Sequence, residues 1–426
     1  MSANVKTNWT GTRAWLRRMP MRRIVAATLL AMPAAALADS DNFVEAGRGR
    51  ALVTAGDCVA CHTAPGGKPF AGGLALQTPF GAIMTPNITP DNATGIGSWT
   101  ADDFARAMHE GRRPNGTRLY PAFPYTYYTK VTRADSDAIF AYLRSLDPVS
   151  NSVDRNTLPF PFSIRSSMAV WNGMFFTAGE FKPDPNRSEE YNRGAYLVEG
   201  LGHCGACHTP LNALGANKAD RYLQGGQIDS WTAPNITNDM QAGLGKWSVD
   251  DVVQYLKTGQ ARGVIASGPM KDVVENSTAK MPDADLKAMA VFLKDRGAAG
   301  GPAPTPVAAS DGRMKVGEAI FVDTCAACHV RSGEGIARVF PKLAGATVVT
   351  QDDPASLIHI VITGGQAAAT ATHPTAPTMP SFGYRLNDEQ IAAVVTYVRN
   401  SWGNAASPVA ADAVKAIRGK VTGPAD

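Results

Sequence analysis

Cysteine is missing from nearly all of this 426-residue chain: there are six, and none stands outside three five-residue stretches. No thiol therefore remains for a disulfide framework or a second metal half-site. Charge is scarce as well, at 18%, and the formal balance of +4 is misleading. Residues 1–38 hold Lys6, Arg13, Arg17, Arg18, Arg22 and Arg23 and no acid; without them 35 basic residues face 37 acidic ones, a balance of −2. That sign gives no electrostatic support to a nucleic-acid partner. After residue 38 no run is apolar for the ~20 residues that a spanning helix needs. The chain also lacks a Gly-x-Gly-x-x-Gly after a strand and any nucleophile grouped with a base, so it offers no flavin, nicotinamide or substrate site.

What the chain does contain is Cys58-Val-Ala-Cys61-His62, Cys204-Gly-Ala-Cys207-His208 and Cys325-Ala-Ala-Cys328-His329. Cys-x-x-Cys-His attaches c-type haem. The two thiols add to the haem vinyl groups, one turn of chain presenting both sulfurs to one porphyrin edge, and the histidine supplies the proximal imidazole. A single pentad also suits a zinc half-site or a redox Cys-x-x-Cys, but six cysteines used in three pentads read as three covalently bound haems, a multihaem cytochrome c.

The leader reads as a secretory signal over 1–38. Its basic residues end at Arg22-Arg23, Ile24 to Leu37 is almost wholly apolar, and Ala36-Leu37-Ala38 offers a small-x-small cleavage site. Export suits the cofactor, because c-type haem is attached outside the bacterial cytoplasmic membrane.

Length and three haem sites suggest three domains, and 41 glycines with 29 prolines suit small helical domains with long loops over a cofactor. The expected fold is mainly α: three tandem cytochrome c-type domains, each wrapped around one covalent haem, over 39–147, 188–297 and 311–404. Each opens with a helix carrying a glycine (Gly49, Gly194, Gly317) and closes with a helix over Asp135–Leu146, Asp283–Lys294 or Asn387–Trp402. The closing helices carry Tyr142, Phe292 and Tyr397 at helical spacing, as partners for those glycines. The first two domains repeat: Pro86-Asn-Ile-Thr89 recurs as Pro234-Asn-Ile-Thr237, and Gly95-Ile-Gly-Ser-Trp99 as Gly243-Leu-Gly-Lys-Trp247. Between them 148–187 is Pro-rich and aromatic, which argues for a segment packed on a surface. Residues 298–310 read as a flexible tether, and 405–426 as a polar tail with one short amphipathic helix around Val409 to Ile417.

Methionine is the usual sixth ligand of an electron-carrying haem, a soft thioether that favours ferrous iron. Met270 lies 62 residues after His208 and Met379 lies 50 after His329, both in Pro-containing loops ahead of the closing helix. The first domain breaks the pattern, since the equivalent position, 61 residues after His62, is Phe123. Met84, His109 and an open or water-ligated iron remain as alternatives there.

Long strings in the chain resemble the triheme cytochrome c subunits of bacterial membrane-bound dehydrogenases acting on alcohols, gluconate, sorbitol, fructose or aldehydes. They include Thr85-Pro-Asn-Ile-Thr-Pro-Asp91, Leu119-Tyr-Pro-Ala, Asn192-Arg-Gly-Ala-Tyr-Leu-Val198, Gly200-Leu-Gly-His-Cys-Gly-Ala-Cys-His-Thr-Pro210 and Ser401-Trp-Gly-Asn404. The resemblance implies an electron-transfer subunit, not itself catalytic. It would sit at the periplasmic face of the cytoplasmic membrane and pass electrons from a flavin, quinoprotein or molybdenum subunit to ubiquinone. In many relatives the Leu-Tyr-Pro-Ala loop carries the first haem's methionine, and Phe123 departs from that. Two other functions compete: a peroxidase or small-ligand reductase using an open first haem, with His109 as its acid–base group, and a free electron shuttle.

Overall fold

The computed structural model describes residues 34–153, 158–297 and 304–421. The leader therefore lies outside the described residues as far as residue 33, as do 298–303 of the tether and 422–426 of the tail. Residues 34–38 open a helix, Ala34–Ala55, and the described residues from Glu45 onward belong to one compact unit. The described strands are short and pair as antiparallel two-stranded ribbons among the helices.

Apolar side chains of this unit collect in three large clusters that follow one another along the sequence. Leu52, Val53, Phe104, Met108, Ile139 and Leu143 build the first, with Cys58 packed against it. Leu197, Val198, Leu256, Leu286, Phe292 and Leu293 build the second, bordered by Cys204. The third contains Phe321, Ile358, Ile362, Ile391 and Val394, with Cys325 at its edge. Each fully buried side chain of these types stabilises by about 1.5–3 kcal/mol, so every pentad is attached to a substantial core of its own.

A crossing pair of helices frames each cluster, and a glycine makes each crossing close. A Cβ on Gly49 would lie 1.8 Å from the Ala138 carbonyl oxygen and 2.8 Å from Cβ of Tyr142. On Gly194 it would lie 1.9 Å from the oxygen of Ala288 and 2.9 Å from Cβ of Phe292, and on Gly317 2.3 Å from the oxygen of Ala393 and 2.6 Å from Cβ of Tyr397. The pairing of glycine with aromatic expected from sequence is thus present in all three. The closing helices run Arg133–Arg144, Asp283–Asp295 and Asp388–Arg399. The first begins two residues earlier than expected because Thr132, not an acid, caps it: its hydroxyl accepts from the Asp135 amide at 3.2 Å.

The repeated motifs are turn and cap chemistry. The Asn87 side-chain oxygen accepts from the amide and hydroxyl of Thr89 at 2.9 and 2.8 Å. Asn235 does the same for Thr237 at 2.8 and 2.7 Å. Such Asx turns fix the chain just after Pro86 and Pro234. Further on, Thr100 with Asp103 and Ser248 with Asp251 form capping boxes that start the helices Ala101–Glu110 and Val249–Thr258.

The Pro-rich segment is packed on one side and exposed on the other. Trp171 is buried, its indole donating to the Leu214 carbonyl at 2.9 Å, and Tyr125 donates to Asn172 at 2.6 Å. On the outer side Phe160 is 80% exposed, Val170 66% and Met174 56%. The tail forms a helix, Ala411–Val421, starting two residues and ending four residues later than expected, and Val409, Val414 and Ile417 complete the third cluster. Arg418 ties it down, donating to Asp388 at 2.7 Å and to the carbonyls of Gly383 and Leu386.

Candidate functional site

Each pentad is one tight helical turn: Cys58–Cys61, Gly205–His208 and Ala326–His329. A stretch of π-helix leads into the second and third turns, Leu197–Leu201 and Phe321–Cys325, a wider winding often found at functional sites. The first turn is entered instead through Asp57 in the left-handed region, φ 50°. All six cysteines are unpaired. Burial, reinforced by the Asp57 carboxylate, pushes the Cys58 thiol up to about 12, and burial does the same to Cys204.

The three histidines share one arrangement. Nδ1 of His62 lies 2.8 Å from the carbonyl oxygen of Pro86, Nδ1 of His208 2.7 Å from that of Pro234, and Nδ1 of His329 3.0 Å from that of Pro341. A carbonyl only accepts, so Nδ1 carries the hydrogen and Nε2 keeps its lone pair. Burial holds all three imidazoles below the usual histidine range, against the opposing effect of the carbonyl bond. Neutral rings oriented through Nδ1 and presenting Nε2 are what an axial iron ligand requires. The residues therefore fit a c-type haem in each turn: two thiols for the thioethers and one oriented imidazole.

Met270 is part-buried against the second cluster, following Gly268 and Pro269 at the start of the helix Pro269–Asn276. Met379 lies in the strand Thr378–Met379, paired with Gly365. At the first site the residue at the repeat-equivalent position is Phe123. Phe123 packs against the first cluster and meets Tyr128 edge-on, ring centroids 5.2 Å apart. Met84 ends the strand Gly81–Met84, two residues before the Pro86 carbonyl that holds His62. Met108 is buried core. His109 lines a surface pocket with Asp102, Arg106, Glu110, Arg133 and Glu180, and burial lowers its pKa.

Two features carried no signal in the sequence. The prolyl carbonyls that hold the histidines sat unrecognised within the repeated Pro-Asn-Ile-Thr, and Pro341 belongs to no repeat at all. The second feature is the closeness of the first two turns. A Cβ on Gly56, two residues before Cys58, would lie 3.1 Å from the side chain of Leu201, three residues before Cys204. Adjacent tyrosines divide between them: the Tyr127 hydroxyl lies 2.7 Å from where a Cβ on Gly205 of the second turn would stand, whereas Tyr128 belongs to the first cluster, against which Cys58 packs. His203, just ahead of Cys204, meets Tyr128 at 5.6 Å between ring centroids.

Comparison with known proteins gives the family. The family model for cytochrome c matches residues 46–147 and 314–402. The chain is 43% identical to the gluconate 2-dehydrogenase cytochrome c subunit of Pantoea cypripedii, over 93% of this chain and 95% of that protein. It is 40% identical to the fructose dehydrogenase cytochrome subunit of Gluconobacter japonicus, covering 87% and 82%. To the cytochrome c subunit of the quinone alcohol dehydrogenase of Gluconobacter oxydans it is 38% identical, covering 87% and 81%.

Proposed function

This chain belongs to the family of dehydrogenase cytochrome c subunits, and from that premise we propose that it is a three-haem relay between a catalytic subunit and ubiquinone, on the periplasmic face of the cytoplasmic membrane. Haem c, when bound, supplies a one-electron iron couple; the chain's part is to hold it, orient it and tune it. Cys58 and Cys61, Cys204 and Cys207, and Cys325 and Cys328 are the attachment pairs, with His62, His208 and His329 as proximal ligands. The observation that carries this reading is the threefold arrangement of a buried imidazole, Nδ1 bound to a prolyl carbonyl, beside two unpaired cysteines. Met270 and Met379 are the sixth ligands of the second and third haems, their softness favouring the reduced state.

At the first haem an open distal side is the reading with most support. Phe123 has no lone pair to offer. Met84 precedes the carbonyl that holds His62, which favours a place on the proximal side, and His109 belongs to a pocket of charged surface residues. The outer face of the Pro-rich segment, with Phe160, Val170 and Met174 exposed, supports an apolar contact with the catalytic subunit. Mass spectrometry of the exported protein tests the core of the proposal: three haem additions are expected, and two or fewer refute it. Carbon monoxide binding by the reduced protein tests the open first site.

A further inference from the structure

The second and third haem turns belong to different clusters, and one contact on the seam between them is unlike the rest. The indole of Trp231 stacks on the imidazole of His359, ring centroids 3.9 Å apart and planes 29° from parallel. Neither side chain belongs to a haem turn, yet each is tied to one. Trp231 opens the strand Trp231–Asn235, in which Pro234 offers the carbonyl that holds His208. Its six-membered ring also covers Gly268, where a Cβ would lie 2.8 Å from it, two residues before Met270. The indole thus touches both the strand whose Pro234 carbonyl holds His208 and the Gly268 turn that leads into Met270.

His359 is tied in the same way to the third site. It sits on the helix Ala355–Thr363, which ends at Gly364; a Cβ there would lie 2.5 Å from the Met379 carbonyl oxygen, and Gly365 pairs with Met379 itself. Ser230, next to Trp231, also holds the imidazole, its hydroxyl 2.9 Å from Nδ1. Around the stack the seam is bonded twice more: Ser356 accepts from the Thr232 amide at 2.8 Å and donates to the Thr232 carbonyl at 3.1 Å. Ala368 packs with Val274 and Ala266 in a small cluster bordered by Met270.

Building on the three-haem reading, we propose that the Trp231–His359 stack is the positioning contact of the relay between the second and third haems: it holds the two methionine-bearing segments in fixed relation and provides the packed contact across which an electron passes. With haem bound at both turns, the step would oxidise one haem by one electron and reduce the other by one. The pair is neither oxidised nor protonated, and indole and imidazole end as they began.

The test uses the full-length, haem-loaded chain without its catalytic partner. One electron is injected photochemically and its redistribution among the haems is followed by absorbance, with reduction potentials measured alongside. His359→Ala is expected to slow the second-to-third step roughly tenfold, an activation change of about 1.4 kcal/mol, while leaving the potentials unmoved. His359→Phe, which keeps a ring against Trp231, is expected to restore the rate. Ser356→Ala removes a neighbouring tether but spares the stack and should leave the rate unchanged. If His359→Ala does not fold, His359→Leu replaces it with the same expected direction.

An unaltered rate in His359→Ala or His359→Leu overturns the inference, as does equal slowing by Ser356→Ala. Failure of the underlying reading looks different: the wild-type protein itself would lack three haems, or two histidine–methionine spectra.

Discussion

Replacing Gly194 by alanine tests the architecture without reference to any cofactor. The new Cβ would stand 1.9 Å from the Ala288 carbonyl oxygen, 2.5 Å from its carbon and 2.9 Å from Cβ of Phe292. Two of these atoms are backbone and no rotamer relieves them. The helices Glu189–Tyr196 and Asp283–Asp295 must move apart by more than an ångström, loosening Phe292 and Leu293, which are 1% and 4% exposed. Overpacking of a tight core costs about 1–3 kcal/mol, occasionally more, and the backbone clash places this site at the upper end. Helix propensity pulls the other way by about 1 kcal/mol, leaving a net loss of roughly 2 kcal/mol. Gly419 is the internal control: it also lies in a helix, but nothing stands within 4 Å of its Cβ position, so Gly419→Ala should be neutral or stabilise by up to about 1 kcal/mol. Far-ultraviolet circular dichroism during thermal unfolding reads both. Gly194→Ala should lower the melting temperature by several degrees and Gly419→Ala should not; equal melting of Gly194→Ala and wild type would refute the close crossing.

Met270→Gln and Met379→Gln should each lower one haem's potential through loss of the thioether, measured by potentiometric titration with the haem still attached. Phe123→Met should add a third methionine–iron band to the ferric spectrum and abolish carbon monoxide binding; a wild-type protein that already has three such bands contradicts an open first site. Burial holds His359 below its ordinary value, opposed by Ser230 and Asp229. Below the unfolded value of about 6.5 the unfolded chain takes up a proton that the folded seam resists, so the seam weakens as pH falls through that range. Hydrogen exchange at the Thr232 amide should report this, and His359→Phe should flatten it. The isolated chain should oxidise no alcohol, sugar or aldehyde, since it brings no hydride acceptor of its own; turnover by pure protein would overturn the subunit reading.

The chemistry was more legible in the sequence than its surroundings. Cys-x-x-Cys-His states two attachment points and a ligand in five consecutive residues, and the glycine–aromatic pairs could be read because helical period ties them to the closing helices. The partner of each histidine was not readable. A main-chain carbonyl carries no side-chain signature, and Pro341 approaches His329 from only twelve positions away without any repeat to mark it. The Trp231–His359 stack joins positions 128 residues apart, a pairing that neither periodicity nor motif encodes. The tail looked polar because its three buried residues, Val409, Val414 and Ile417, are diluted among alanine and charge. Their burial depends on the third cluster lying underneath them.

That last helix sets a schedule for biogenesis. Because Val409, Val414 and Ile417 complete the third cluster, its hydrophobic seal cannot form until the chain has emerged as far as Ile417. The first two clusters draw their closing helices from residues far upstream of the terminus. A chain being threaded outward would thus mature from front to back, with its rearmost pentad accessible to the attachment machinery longest. A stop codon after Asn404 separates the stages: the shortened product should keep its first two prosthetic groups and lose protease resistance only in its rear third. Loss of all three groups together would mean that the cores do not mature in sequence.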